Sequence, residues 1–270
     1  MRGTSRASLA AVESRWEPVL EAAGSQATVL GEQLFALVDA LDASGSLRRA
    51  LADPSVEGDA KAELARRLLV AADPRTVAVA QDLARARWSA EGDLADAAQR
   101  LGVSAVLAAA QSAGQLEQVE QELFAVIGAL AGQRELRRSL FDSRVPGAAR
   151  ADLAEQVLGS QISPTTLLLA RRAAAAPRGR RYVAWLGDAV DLIAERRQHR
   201  VATVTVAAPL TDAQRTRLSG VLATALGGQV ELDVVVDPRV IGGMRVQSGP
   251  DVIDSTVLAR LADARRRLAG

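Results

Sequence analysis

Thiol and imidazole side chains, which many catalytic and metal sites use, are almost absent from this sequence. The chain contains one histidine, His199, and no cysteine, so thiolate nucleophiles, disulfides and cysteine-based metal sites are excluded. A single histidine without a nearby cysteine or clustered carboxylates is not a metal site, and a catalytic triad needs a nucleophile and an orienting acid as well. We therefore predict a structural or solvated role for His199, no catalytic residue and no cofactor.

Two further features have the composition of phosphate-binding sites. Gly242–Gly243 is a glycine pair, but the chain has neither a GxxxxGK[ST] pattern nor a GxGxxG pattern between a strand and a helix. Arginine clusters at Arg178–Arg181 and Arg265–Arg267 have no aromatic side chains beside them beyond Tyr182 and Trp185. We expect the glycine pair to serve a turn with positive φ or a close backbone approach, and we expect arginines that are solvated or paired with an acidic partner.

Composition limits the classes of protein that these features can belong to. The chain has 270 residues, 49% of them hydrophobic and 24% charged, with a formal net charge of +1. These values are typical of a globular protein without a bulk electrostatic attraction to nucleic acid or anionic lipid. No signal-peptide core precedes Glu13 and Arg15, and no apolar stretch has transmembrane length. We expect a cytoplasmic protein that reaches a membrane only through a partner, without direct insertion.

An internal repeat organises the first two hundred residues. Residues 34–69 and 123–158 align without a gap at an offset of 89, and 17 of the 36 positions are identical. Within each copy the apolar residues have helical spacing, and prolines after Asp73 and Ser163 mark helix starts. Helices are predicted near the following residues: 58–71, 74–88, 93–111, 147–158, 164–176 and 180–199.

The last seventy residues have a different pattern. Alternation predicts strands from Val201, from Val230 and from Ile241. Thr211 and Gln214 form a capping box for a helix. The predicted buried face of that helix consists of Leu218, Val221, Leu222, Ala225 and Leu226. Asp254 is the predicted N-cap of a closing helix.

These patterns give a fold class and a domain division. The chain is predicted to be mainly α with a small α+β C-terminal domain. A duplicated helical-bundle unit is followed by a β-α-β-β-α module. We predict a first helical unit at residues 1–112, a second at residues 113–200 and the α+β module at residues 201–270.

The order of the motifs in the C-terminal module resembles the delta subunit of bacterial F-type ATP synthases. That family includes the mitochondrial oligomycin-sensitivity-conferring protein. The matching residues are Pro209, Leu210, Thr211, Gln214, Val236, Asp237, Pro238, Ile241, Gly242, Gly243, Val252, Ile253, Asp254 and Leu261. Glu135–Leu140 in the second helical copy also matches, so the resemblance covers about residues 115–270. Ser255 and Pro250 depart from the family pattern, and residues 25–112 are an addition to it.

The resemblance implies a non-catalytic stator subunit. Such a subunit links the catalytic head to the membrane-anchored stalk at the cytoplasmic face of the membrane. The resemblance implies that the helical domain receives the N-terminus of an alpha subunit and that the C-terminal module binds the far end of a b-type stalk. Its structural or docking residues here are Pro209, Leu210, Asp237, Pro238, Ile241, Gly242, Gly243, Ile253 and Asp254.

The sequence is also consistent with other functions. An arginine-rich helical adaptor that binds nucleic acid or acts as a scaffold is the main alternative, although we expect no nucleic-acid partner. A small hydrolase or transferase built on the C-terminal module lacks a recognisable nucleophile, acid–base pair or cofactor loop. The extra helical copy is expected to contact either a second alpha subunit or the stalk.

Overall fold

A computed structural model gives the three-dimensional structure. It describes residues 3–198, 201–225, 230–240, 242–248 and 251–254. The chain divides into two compact units, Met1–Asp191 and Leu192–Gly270. The predicted fold class, mainly α with a small α+β region, is confirmed.

The elements are numbered in chain order. The helices are α1 (Gly3–Ala23), α2 (Ala27–Ala43), α3 (Gly45–Ala52), α4 (Gly58–Leu68), α5 (Pro74–Arg85), α6 (Glu91–Ser112), α7 (Leu116–Leu130), α8 (Arg134–Ser139), α9 (Gly147–Leu158), α10 (Pro164–Ala175), α11 (Tyr182–Gln198) and α12 (Asp212–Ala225). The strands are β1 (Val201–Val206), β2 (Glu231–Val236), β3 (Met244–Ser248) and β4 (Asp251–Asp254). A short 3₁₀ turn, Gly24–Gln26, joins α1 to α2.

Helices α5 and α10 begin at the signals that the sequence predicts. The Asp73 carboxylate accepts a hydrogen bond from the backbone N–H of Arg75, and the Ser163 hydroxyl accepts one from the N–H of Thr166. A proline follows each cap as the first helical residue, where its missing N–H leaves no helical hydrogen bond unmade. Both predicted helix starts are confirmed.

The sequence repeat is also a repeat of side-chain contacts. Gln33 on α2 accepts the backbone N–H of Asp73 through Oε1 at 3.0 Å. Its counterpart 89 residues later, Glu122 on α7, accepts the N–H of Ser163 through Oε2 at 2.9 Å. In both copies, therefore, a side chain from a long helix, α2 or α7, binds the backbone of the N-cap residue of the helix three elements later, α5 or α10.

Helix α6 belongs to both copies of the repeat. It packs against α1, α2, α3 and α5, and also against α7 and α10. Its residues Ala105–Ala110 are all buried, which a helix with one apolar face does not show. Residues 3–23 of α1, moved by the 89-residue offset, correspond to residues 92–112 of α6. The division at 112/113 and at 200/201 stays a prediction.

The C-terminal unit is built on a four-stranded sheet with the order β2-β1-β3-β4. β1 pairs in parallel with β2 and antiparallel with β3, where Val204 lies opposite Val246. β3 pairs antiparallel with β4, where Val246 lies opposite Ile253. Because β1 and β2 are parallel neighbours, the chain crosses over between them through α12.

One face of the sheet forms the core of this unit with α12. The buried side chains are Ala202, Val204, Val206, Leu222, Val230 and Val246. The predicted buried face of α12 is only partly right, because Leu218 packs on this core whereas Val221 is 58% exposed. Val221 precedes Leu222 by about 100° of helical rotation, and the small sheet covers only a narrow face of the helix.

The strand prediction needs two changes. β3 begins at Met244 rather than at Ile241, because Gly242 and Gly243 have φ values of 67° and 80° that turn the chain before it. Residues Asp251–Asp254 form a fourth strand, which is too short to show alternation in the sequence. Ile241 and the predicted closing helix after Asp254 lie outside the described residues.

Candidate docking surfaces

Pro209 and Leu210 connect β1 to α12. Pro209 is exposed, whereas Leu210 is half-buried and packs against the core of the C-terminal unit. The capping box that follows is formed as predicted. The N–H of Gln214 donates to Thr211 Oγ1 at 3.3 Å, and the N–H of Thr211 donates to Gln214 Oε1 at 2.9 Å. This motif therefore starts α12 and anchors its first turn to the sheet.

Asp237 organises the turn that ends β2. Its backbone N–H donates to the carbonyl oxygen of Val206 at 2.9 Å. Its carboxylate accepts the Arg239 guanidinium at 3.0 Å and the Arg239 backbone N–H at 3.0 Å, and these bonds hold the pKa of Asp237 below its ordinary value. Pro238 lies between the two residues, is exposed and fixes the backbone φ of the turn.

The same Asp-x-Arg turn occurs three times in the described residues, and its short sequence pattern was not among the predicted motifs. In each case the carboxylate accepts both the backbone N–H and the guanidinium of the residue two positions later. The pairs are Asp73–Arg75, Asp142–Arg144 and Asp237–Arg239. An aspartate that binds its own backbone in this way stabilises a turn, so the role of these pairs is structural.

The remaining motif residues lie around β3 and β4. The N–H of Gly242 donates to the carbonyl oxygen of Val240 at 3.1 Å, and the glycine pair forms the turn that we expected from its sequence. Ile253 pairs with Val246 across the ladder, and Asp254 lies opposite Arg245. The motif residues thus lie at or near the ends of the strands of one small sheet.

The sheet has a second face, which points away from its core and carries exposed side chains among the residues that the structure describes. The strand register places Val235, Thr205, Arg245 and Asp254 in one row across this face. Val252 belongs to the adjacent row and is 45% exposed, and Val235 is 44% exposed. This open sheet face combines exposed valines with polar side chains, a composition suited to docking.

The helical unit has an exposed helix face of its own. Glu117, Gln121, Phe124, Gly128 and Ala131 are exposed and recur at intervals of three and four residues along α7. We call these residues the α7 outer face. Phe124 at its centre is 55% exposed, which is unusual for a phenylalanine.

The arginines near the end of α10 make ion pairs within the helical unit. Arg178 Nε lies 2.9 Å from Asp96 Oδ1, and the same guanidinium is paired with Asp42. Only 10% of the Arg178 side chain is exposed. Arg172 Nη1 lies 2.7 Å from Asp39 Oδ1. These pairs join the two copies of the repeat, so Arg178 does not present its charge to an external phosphate.

Two other features bear on function. Across the described residues, no group of three or more histidine, aspartate or glutamate side chains is arranged to hold a metal ion. In the same part of the chain, none of the helices combines the length and hydropathy that a membrane span needs. His199 and Arg265–Arg267 lie outside the described residues.

A family model described as the ATP synthase delta (OSCP) subunit matches residues 103–268. The chain belongs to the ATP synthase delta (OSCP) subunit family. It is a non-catalytic, peripheral-stalk subunit of an F-type ATP synthase. The resemblance found in the sequence is therefore confirmed, and the nucleic-acid adaptor is not supported.

Curated relatives cover the part of the chain that the family model leaves out. "ATP synthase subunit delta" of Beutenbergia cavernae is 48% identical and that of Thermobifida fusca 40%, each over 100% of both chains. That of Kineococcus radiotolerans is 46% identical over 99% of this chain and 98% of its own. The delta-family model begins inside α6, whereas these relatives align with the first helical copy as well.

The surfaces just described were not all predictable. Val235 was predicted as an ordinary strand residue and Val252 was matched only as a family-motif residue, and the exposure of both follows from which face of the sheet α12 covers. Phe124 aligns with Phe35 in the repeat, and this identity suggests equal burial for the two rings. The sequence did contain a signal for the difference, because the residues near Phe124 are not the same as those near Phe35 in the first copy.

Proposed function

We propose that this delta-family subunit ties the catalytic head of the ATP synthase to its b-type stalk at the cytoplasmic face of the membrane. The helical unit receives the N-terminal helix of an alpha subunit, and the C-terminal unit binds the C-terminal end of the stalk. The observation that carries this proposal is the extent of the family match, which spans the second helical copy and the C-terminal unit. The motif residues from Pro209 to Asp254 act by shaping the sheet that docks.

The mechanism requires attachment at two places and no chemistry. Torque from the rotating central shaft would turn the head unless the head is held to the stationary stalk. The α7 outer face and the open sheet face lie in different compact units, so one chain offers a separate exposed surface to each partner. Linking two contacts in one chain raises the effective concentration at each of them.

The first helical copy supplies a further contact in this proposal, to a second alpha subunit or to the stalk. Leu68 and Val70, which follow one another closely at the end of α4, are 41% and 79% exposed. Deleting residues 25–112 would also remove α6, which packs against α7 and α10 of the second copy. Leu68→Asp combined with Val70→Asp tests the first copy without that damage, by measuring binding of the head and of the stalk separately. Unchanged binding of both would contradict this contact.

The role as a coupler is tested in inverted membrane vesicles that contain the ATP synthase with or without this subunit. Without the subunit we expect ATP hydrolysis by the head to continue while ATP-driven proton pumping is lost. Adding the purified chain back should restore pumping. Full proton pumping and ATP synthesis in the absence of the subunit would refute the proposal.

The stalk-binding part is tested at the open sheet face. Val252→Glu introduces a charge there, whereas Val221→Glu places the same charge on the exposed side of α12. Binding of the soluble part of the b subunit is measured for both by calorimetry. We expect weaker binding for Val252→Glu alone. Equal affinity of the two variants would contradict binding of the stalk at the open sheet face.

A further inference from the structure

The turn between α10 and α11 holds an arginine in a backbone conformation that favours glycine. Arg178 has a φ of 48° and is followed by Gly179, whose φ is 76°. The other positive φ values among the described residues belong to glycines. Because a Cβ in the left-handed region costs free energy, the backbone keeps this conformation only if the arginine side chain makes contacts that compensate for the cost.

Three groups from α2 and α6 bind the Arg178 guanidinium. Nε donates to Asp96 Oδ1 at 2.9 Å, Nη2 donates to the carbonyl oxygen of Gly92 at 3.3 Å, and Nη1 is paired with the Asp42 carboxylate. We call Asp42, Gly92 and Asp96 the Arg178 clamp. Burial by itself lowers the pKa of Arg178, but the two carboxylates raise this pKa above its ordinary value, so the ion pairs outweigh the loss of hydration.

The whole Arg178 clamp lies in the part of the chain that precedes the family model. That model begins at residue 103, so it includes Arg178 but not the three residues of the clamp. Asp42 belongs to α2 of the first helical copy, and Gly92 and Asp96 lie in the first two turns of α6. The residues that are additional to the family model therefore supply the contacts of a turn inside the family's own helical domain.

The clamp is not a feature of the repeat itself. At the 89-residue offset, Arg178 corresponds to Ser89 and Asp42 corresponds to Ala131. In the first copy the backbone N–H of Ser89 donates to Ser5 Oγ at 2.7 Å, and this bond attaches the equivalent turn to α1. The second copy instead uses charged groups, one of which, Asp42, comes from the other copy. An acid on the first copy and an arginine on the second thus form a contact that the repeat does not make in the reverse direction.

We propose that the first helical copy braces the second, because Asp42 and Asp96 hold Arg178, and with it the α10–α11 turn, in a conformation that the turn does not keep alone. Release of the clamp loosens the turn while both copies stay folded, since Leu169 on α10 and Leu186 on α11 are fully buried on either side of it. Arg178 is a positioning residue in this proposal. The proposal does not depend on which subunits the chain binds.

The test is hydrogen–deuterium exchange of the full chain, followed by mass spectrometry of the segment 178–185. In that segment the N–H of Arg180 donates to the carbonyl oxygen of Pro177 at 2.9 Å, and the N–H of Trp185 donates to that of Arg181 at 2.9 Å. Asp42→Asn combined with Asp96→Asn should raise the exchange rate of this segment about tenfold or more, because it leaves the Arg178 charge without its partners. Exchange in α4 and α9 should stay as in the wild type. Unchanged exchange of the segment would overturn the proposal.

Asp188→Asn is the matched control. Asp188 pairs with Arg180 of the same turn, but its side chain is 48% exposed, and exposed ion pairs contribute little. Exchange in this variant should equal that of the wild type. An increase as large as that of the Asp42→Asn and Asp96→Asn protein would show that any lost charge loosens the turn, and would contradict a specific clamp.

A further variant separates the side chain from the backbone. Arg178→Gly removes the guanidinium and at the same time relieves the strain at this φ, so the backbone alone should favour the native turn. We expect exchange of the segment to rise nevertheless, as in the double variant. Exchange as slow as in the wild type would mean that the backbone sets the turn without the clamp. Circular dichroism checks that each variant is folded, and global unfolding in place of local release would also contradict the proposal.

Discussion

Gly31 and Gly102 lie in direct backbone contact where α2 crosses α6. A Cβ on Gly31 would be 2.7 Å from the carbonyl oxygen of Gly102 and 2.9 Å from Val106 Cγ2. Only a hydrogen atom fits at this crossing. The contact brings α6 close enough to cover Phe35, and α6 in turn packs against α7 and α10, so this pair of glycines positions the second copy on the first.

Gly31→Ala should therefore destabilise the helical unit. The atoms that the new methyl group meets belong to backbone and to a buried valine, so overpacking should cost about 1–3 kcal/mol in the free energy of unfolding. Urea denaturation followed by tryptophan fluorescence measures it. Gly128→Ala is the control, because nothing lies within 4 Å of its added Cβ and helix propensity should stabilise it by up to about 1 kcal/mol. A Gly31→Ala protein as stable as the wild type would show that α2 and α6 do not cross so closely.

Arg172→Ala should weaken the contact between the two copies of the repeat. The side chain of Arg172 is only 7% exposed, and its removal abolishes the ion pair with Asp39 and the contact with the Phe35 ring. We expect a loss of about 2 kcal/mol in the free energy of unfolding, from lost packing and a partly desolvated cation–π contact.

The neighbouring Arg171 provides the comparison for that measurement. Its side chain is 41% exposed and is paired with Glu155 on the surface. Arg171→Ala should cost less than about 1 kcal/mol, because exposed ion pairs contribute little. Equal losses for Arg171→Ala and Arg172→Ala would contradict a specific role for Arg172 between the copies.

Gly243→Ala should destabilise the C-terminal unit through the backbone alone. Its φ of 80° lies in the left-handed region, where a Cβ costs about 1–2 kcal/mol. Gly220→Ala, in the interior of α12 with open space around its added Cβ, should be neutral or stabilising. Thermal unfolding monitored by circular dichroism distinguishes the two. A neutral Gly243→Ala would mean that the turn before β3 does not need this conformation.

Asp73 should make the stability of the helical unit depend on acid pH. Hydrogen bonds from the Arg75 guanidinium and backbone N–H lower the pKa of Asp73 from 3.8 to about 2. Because the pKa is lowered in the folded state, this contribution is fully present above the unfolded-state pKa and is lost as pH falls through the folded-state pKa. The stability difference between the wild type and Asp73→Asn should therefore shrink between about pH 4 and pH 2. A difference that stays constant over this range would rule out the Asp73 carboxylate as its source.

Elements with local signals were predicted well from the sequence. The caps at Asp73, Ser163 and Thr211 start helices, and Asp237 ends a strand, because each acts on backbone groups within three residues of itself. β4 was missed since a four-residue strand is defined mainly by the partner that it pairs with. The exposure of Val221 was missed for a related reason, as the width of the face that α12 buries depends on the sheet.

The sequence by itself determined the family, the repeat, the helical class and the motif residues around the sheet, because those are properties of residue types and short spacings. The tertiary structure alone decided which of two equivalent phenylalanines is buried. It also decided that Arg178 is paired with Asp42, 136 residues away, and that α6 serves both copies. Burial and ion pairing depend on groups that folding brings together from distant parts of the chain, and similar local sequences acquire different surroundings in that step.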